Sequence, residues 1–168
     1  MNLLQHLLPL TTLAASLLPA QAASVAPFGT GCPYLGQTLT IGATGLPQLG
    51  TTMTITYSGP NQIQQLGVQP MLGLGLTAQA VPLPASLLPT QPANCFLWID
   101  AISLLTMPST GSGTYQSQVP IAIPNQSSLI GFSFVAQWAA FALQCGFLPP
   151  CVLTALPTSD ALSLTVGL

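Results

Sequence analysis

Hydrophobic and polar residues alternate with a period of two in several short segments of the chain. In TTMTITYSG, Met53, Ile55 and Tyr57 are separated by threonines. Successive side chains of an extended strand point to opposite faces, so this pattern predicts a strand with one buried face. ALSLTV shows the same alternation, and so does TYQSQVPIAIP apart from its prolines. Further predicted strands are LTI at 39–41, MLGLGL at 71–76 and CFLWIDAISLL at 95–105.

Segments rich in turn-forming residues separate the predicted strands, namely GLPQLG, SGPNQ, VPLPASLLPTQP and PSTGSG. Pro120 and Pro124 restrict TYQSQVPIAIP to an edge strand or a strand end, because proline has no amide proton to donate. Short strands at short spacing are typical of antiparallel sandwiches and barrels. We therefore predict an all-β fold, an antiparallel β-sandwich of jelly-roll or Ig-like type with about seven to eight strands, stapled by disulfides.

The segment LIGFSFVAQWAAFALQ, at 129–144, fits two patterns. Phe134, Trp138 and Phe141 form a stripe at helical spacing, and the alanines also favour a helix. The alternation from Ile130 to Trp138 favours a strand equally well. We predict a long strand here, with a helix as the alternative.

The N-terminal segment has the features of an export signal. The apolar run LLPLTTLAASLL, at 7–18, precedes the small-residue cleavage pattern Ala20-Gln21-Ala22. A membrane anchor is the alternative, but it needs about 20 apolar residues, and this run is shorter and contains Pro9. We predict a signal peptide at 1–22, cleaved after Ala22 or Ala23, and one domain at 23–168, without membrane insertion once the signal is removed. The predicted location is extracellular, periplasmic or at the cell surface.

The composition limits the partners of the chain. It has 168 residues with no lysine or arginine, two acidic residues and one histidine, while 49% of the residues are hydrophobic. Nucleic acids are excluded because no cation is available to neutralise phosphates. A surface built from neutral hydroxyls and amides repels its own copies only weakly, so self-association is expected. Protein or glycan surfaces are the other expected partners.

Four cysteines, Cys32, Cys95, Cys145 and Cys151, raise the question of reactivity. Zinc sites prefer ligands two to four residues apart, whereas Cys145 and Cys151 have five residues between them. A redox pair would need a neighbouring cation to lower a thiol pKa, and the chain has none. In an exported domain four cysteines form two disulfides. Of the three connectivities, we prefer Cys145 with Cys151 and Cys32 with Cys95, and we expect no metal and no cofactor.

Asp100 and Asp160 are the two acidic residues of the chain and the only candidate bases after export. A glycosidase could use two carboxyl groups about 5 to 10 Å apart. We favour structural roles, in which Asp100 ends or interrupts a strand and Asp160 caps a turn. Calcium binding is a weaker alternative, since no acidic loop with calcium-binding spacing is present.

Aromatic residues are the remaining candidates for ligand contact. Trp98, Trp138 and Tyr115 could stack on sugar rings if their side chains were exposed. Aromatic residues at alternating strand positions are more often part of a core. A carbohydrate-binding face is therefore an alternative rather than the preferred interpretation.

A loose pattern of glycine, cysteine, proline and aromatic-strand positions runs along the chain. Its residues are Gly29, Gly31, Cys32, Gly50, Cys95, Pro124, Asn125, Leu129, Gly131, Ala136 and Gln137. This order of motifs resembles a small secreted β-domain that recurs in exported planctomycete proteins. The resemblance covers nearly all of the predicted mature chain and implies a β-sandwich and export, with no catalytic residue. Cys145 and Cys151 depart from the pattern, because a variable hairpin loop is expected there.

Taken as a sequence, the chain is expected to be a non-enzymatic structural, adhesive or assembly domain at the cell surface or in the extracellular matrix. A carbohydrate-binding module is the alternative, and a hydrolase is less favoured. The loop tip at Gly146–Pro150 is expected to be a protruding contact, whose removal would leave the fold intact and abolish assembly.

Overall fold

The computed structural model describes residues 21–34, 36–59, 69–84, 94–106, 115–144 and 152–168. All pairs between its strands are antiparallel, and the helical structure within these ranges is one 3₁₀ turn at Ser127–Leu129. The prediction of an all-β, antiparallel, disulfide-bonded fold is confirmed, although the strands outnumber the seven or eight expected. The same ranges hold no helix long and apolar enough to cross a membrane.

Thirteen strands are described in chain order. They are β1 (Ser24–Phe28), β2 (Pro33–Tyr34), β3 (Gln37–Thr38), β4 (Thr40–Thr44), β5 (Thr52–Gly59), β6 (Gln69–Gly75), β7 (Ala78–Pro82), β8 (Phe96–Ile99), β9 (Ser103–Thr106), β10 (Tyr115–Ala122), β11 (Ser133–Gln144), β12 (Val152–Ala155) and β13 (Thr158–Thr165). One sheet has the order β1-β13-β11-β6-β9, with β12 beside β11, and a second has the order β10-β5-β4. Two ribbons, β2-β3 and β7-β8, complete the fold.

The main core lies between the large sheet and the three-stranded sheet. The predicted alternation in β5 is confirmed, since Met53, Ile55 and Tyr57 are buried while the threonines between them are not. Leu162 and Leu164 of β13 meet them from the large sheet. Burial of such apolar side chains is the principal favourable contribution to folding. The sandwich packing therefore follows from the period-two pattern in both sheets.

β11 is the central strand, and the prediction of a strand for this segment is confirmed at Ser133–Gln144. Its alanines at 136, 140 and 142 face the three-stranded sheet and leave room for Trp138, which is fully buried. The Trp138 ring lies 5.2 Å from that of Tyr57, and its indole N–H donates to the Thr56 carbonyl at 3.2 Å. Packing on both faces of β11 selects the strand over the helical stripe.

The opposite face of the large sheet is covered by the β7-β8 ribbon. Ile99 of β8 packs with Val135 of β11 and Ala161 of β13, and Trp98 lies against this cluster. Only two residues separate β6 from β7, and β8 is joined to β9 through Asp100. The segment predicted as one strand, CFLWIDAISLL, is therefore two strands in two layers, with a bend at Asp100.

The side-chain amide of Gln137 joins the large sheet to the ribbon. Its carbonyl oxygen accepts the backbone N–H of Trp98 at 2.8 Å, and its NH₂ donates to the carbonyls of Phe96 at 3.3 Å and Ser159 at 2.8 Å. Gln137 is only 1% exposed. A buried backbone group without a hydrogen-bond partner destabilises the fold. This amide therefore supplies the backbone of β8 with the partners that a neighbouring strand would otherwise provide.

The predicted disulfide between Cys32 and Cys95 is present, with Cα atoms 5.0 Å apart. It joins the segment after β1 to the residue that precedes β8, across a sequence separation of 63. A loop of that length corresponds to about 4 kcal/mol of stabilisation in the chain-entropy account. The predicted pair Cys145 and Cys151, the loop tip Gly146–Pro150 and residues 1–20 lie outside the described residues.

We expect Gln137→Leu to lower the free energy of unfolding by about 3 kcal/mol or more, because it leaves buried backbone groups of β8 without partners. Gln79→Leu is the matched control, since this exposed amide also donates to a backbone carbonyl, that of Ile99, at 3.0 Å. Its expected cost is about 1 kcal/mol or less. Urea denaturation measures both variants, and equal losses would contradict the role assigned to Gln137.

Candidate functional site

The aromatic residues singled out from the sequence are not brought together. Trp138 lies in the main core, whereas Trp98 lies on the other face of the large sheet. Trp98 is half-buried, its ring lies 5.1 Å from that of Phe96, and its indole N–H donates to the Thr30 carbonyl at 2.9 Å. A Cβ on Gly29 would lie 2.6 Å from the Trp98 ring, so one ring face rests on this glycine. Tyr115 begins the edge strand β10.

The two carboxylates also serve separate parts of the fold. Asp100 accepts the backbone N–H groups of Leu76 at 2.8 Å and Thr77 at 2.9 Å, which ties the two residues joining β6 to β7 to the bend between β8 and β9. Its predicted position at the end of a strand is confirmed. Asp160 accepts the N–H of Ile41 at 3.2 Å. The prediction that Asp160 caps a turn is wrong, because it lies inside β13 and satisfies a backbone donor of β4.

Neither carboxylate faces a described pocket, and the described ranges contain no group of three or more residues that could hold a metal ion. Acid–base catalysis by a carboxylate pair requires both groups at one cleft. Asp100 and Asp160 do not have that arrangement.

An apolar cavity of about 400 Å³ opens at the end of the sandwich where β6 and β10 finish. Leu74 and Phe134 line it from the large sheet, and Ile121 and Ile123 line it from the other side. The Phe132 and Phe134 rings stack with centroids 6.3 Å apart. Among the described lining residues, Ser103 carries the only polar side chain. The remaining lining residues are Gly75, Leu76, Ile102, Pro124, Leu129, Phe132 and Val166.

Sequence reasoning did not find this cavity because its walls come from separated segments. The residues of each wall, such as Leu74 and Ile121, read only as the apolar positions of separate strands. The available signal was Phe132, an aromatic residue of the alternating pattern that stays 43% exposed. Exposed large apolar side chains around a concave surface indicate a binding site. The cavity can take up an apolar group, and none of its described lining residues is an acid or a base.

A second, smaller depression of about 240 Å³ lies on the three-stranded sheet. It is lined by hydroxyl and amide side chains of β5 and β10, together with Tyr57. Tyr57 belongs to the buried core, so this depression presents no exposed ring on which a sugar could stack. Its lining residues are Thr56, Tyr57, Ser58, Gln116, Ser117 and Gln118.

The outer edge of β9 is the third notable feature. All four of its residues are exposed, Leu104 to 58%, and β6 is its only partner among the described strands. Three of the other edge strands carry features that oppose further pairing: Pro27 in β1, Pro120 in β10, and in β4 the Ile41 N–H bound by Asp160. Pro120 thus confirms the predicted edge strand. β9 has no proline and no charge.

Asp100 gives the fold a testable response to acid. Hydrogen bonds from Thr77, and then from Leu76, hold the pKa of this carboxyl below its ordinary value. Because the folded pKa is the lower one, the ionised group stabilises the fold above its unfolded pKa, and the effect is lost as pH falls through the folded pKa. We expect Asp100→Asn to be less stable than the wild type near neutral pH and equally stable at about pH 2. Urea midpoints measure this, with Asp160→Asn as the reference variant.

The chain matches no protein-family model, no curated protein and no solved structure with which it was compared. What the apolar cavity, the β9 edge and the two carboxylates can do chemically is therefore argued from their own geometry. The apolar cavity can bind, the β9 edge can pair, and the carboxylates are engaged by the backbone.

Proposed function

We propose that the chain is an exported, non-enzymatic structural domain that assembles at the cell surface or in the extracellular matrix. The observation that carries the proposal is the exposed, uncharged edge of β9. A flat edge with free backbone groups is a template for another strand, and proteins that stay monomeric usually block such edges. Among the described edge strands of the two sheets, β1, β4 and β10 are blocked. β12 carries no such block, but its last two residues are buried, whereas all four residues of β9 are exposed.

The direction of the backbone groups supports pairing through β9. Ala140 donates its N–H to the Pro157 carbonyl, toward the β12-β13 side of β11. Along an antiparallel strand, the N–H and C=O of successive residues point alternately to one neighbouring strand and to the other. The registers of β11 with β6 and of β6 with β9 therefore show which way the backbone groups of each β9 residue point. By this alternation, the backbone N–H and C=O of Leu105 face β6, whereas those of Leu104 point outwards, away from the sheet.

The partner that fits this edge best is a second copy of the chain. The two copies would carry no lysine or arginine and only two acids each, so their approach meets little electrostatic repulsion. Antiparallel pairing about a two-fold axis would place Leu104 opposite its own copy and join two large sheets into one. The contact is neutral, so its strength should hardly depend on salt.

We expect Leu104→Pro to abolish self-association, because proline removes the outward donor of β9 while leaving its bonds to β6. Leu104→Ala is the control that shortens the same side chain and keeps the N–H. Analytical ultracentrifugation of both variants, at low and at physiological salt, measures the result. A wild-type dimer that dissociates as salt rises, or that survives Leu104→Pro, would contradict the proposal.

The export part of the proposal rests on the N-terminal apolar run, and the resemblance to exported planctomycete domains supports it. The oxidised pair Cys32 and Cys95 is compatible with an extracellular or periplasmic location. We expect the mature protein to begin at Ala23 or Ser24, and intact-mass spectrometry of secreted material measures this. A full-length mass would contradict cleavage.

The alternatives are less well supported. A carbohydrate-binding module would use exposed rings, but Trp138 is buried and Trp98 is half-buried against Gly29. A hydrolase would need Asp100 and Asp160 at one cleft, and they serve different backbone donors.

A further inference from the structure

We propose that the apolar cavity at the end of the sandwich binds the hydrocarbon chain of an uncharged, lipid-like molecule. Of the β9 residues only Ser103 is in the described lining, and Leu104 is not, so this proposal does not depend on the assembly proposed above. Three observations carry the inference: the chemistry of the lining, the saturation of the surrounding backbone, and the distribution of charge.

The lining offers water almost no partners. A buried water makes about three hydrogen bonds, whereas Ser103 carries the only polar side chain among the lining residues that the structure describes. The backbone around it is also engaged, since Val166 donates its N–H to the Phe132 carbonyl at 2.9 Å and Ile123 donates its N–H to the Thr51 carbonyl at 2.8 Å. An apolar ligand would therefore displace water that the walls bind poorly.

The size and shape suit a flexible chain. The volume of about 400 Å³ lies within the range of roughly 300 to 1,000 Å³ that is usual for ligand pockets. Aliphatic side chains of both sheets form the walls, and the exposed residues Leu76, Ile102 and Phe132 extend the apolar surface beyond the mouth. A hydrocarbon chain can fill the cavity and continue along these residues.

The scarcity of charged residues favours a ligand with an uncharged head group. The chain has no lysine or arginine to pair with an anion, and no acid lines the cavity to pair with a cation. Asp100 lies against Gly75, on the face of β6 away from Leu74. Its carboxylate therefore adds repulsion toward a bound anion without being a contact for the ligand.

Isothermal titration calorimetry with the full chain tests the ligand class. We expect affinity to rise by about fourfold per added methylene group from hexanol to octanol to decanol. Decanoate, ionised at about pH 8, should bind at least tenfold more weakly than decanol, and maltose should not bind. Affinity that is independent of chain length, or stronger for decanoate, would overturn the proposal.

Two variants locate the site. Phe132→Ser should weaken decanol binding at least tenfold, while Leu46→Ser, which removes a side chain of nearly equal exposure outside the cavity, should not. The two exposed fractions are 43% and 45%. Leu129→Trp fills the cavity with its apolar character kept, so it should also abolish binding. Equal binding by Phe132→Ser and Leu46→Ser would overturn the assignment, as would binding that Leu129→Trp leaves unchanged.

Leu104→Pro separates this proposal from assembly, because it should change association and leave decanol binding intact. If Phe132→Ser instead dissociates a dimer and the wild type binds no alcohol, the occupant of the cavity is a second copy and the ligand proposal is wrong.

Discussion

The layered structure depends on one buried amide. β8 crosses the back of the large sheet, where its backbone must find partners without water, and Gln137 supplies them from the middle of β11. Thr158 adds a second donor to the Phe96 carbonyl at 3.0 Å. Inside a protein such bonds are strong and their loss is costly. The position of the ribbon, and with it the bend at Asp100 and the path of β9, follows from this contact.

The near absence of charged residues determines how the two carboxylates and the surface are used. Because no cation exists, neither carboxylate forms an ion pair with a lysine or arginine, and both bind backbone N–H groups instead. Asp160 thereby closes one sheet edge, and Asp100 fixes the bend that carries β8 into β9. The exposed surface is left with hydroxyls, amides and a few apolar side chains, which is why β9 and the cavity stand out against it.

Much of the fold could be predicted from the sequence, because alternation reports which side of a strand is buried. It identified β5, β10, β11 and β13 with their inward-facing residues. The alternation missed β1 and β7, because their side chains are largely exposed. It also predicted β8 and β9 as one strand, because the bend at Asp100 does not interrupt the apolar pattern of the sequence. The role of Gln137 was not predictable, since an alternating pattern treats a buried amide as an outward residue. The cavity was missed because it exists only after distant strands meet.

The ribbon makes the two layers mechanically continuous. β9 pairs with β6 inside the large sheet, and the same chain passes through Asp100 into β8, which begins beside the disulfide of Cys95 with Cys32. Tension applied along β9 would therefore act in shear on the β6 ladder and end at a covalent bond close to β13. Strands loaded in shear break their hydrogen bonds together rather than one by one. A domain anchored through β9 would therefore resist being pulled apart at that edge.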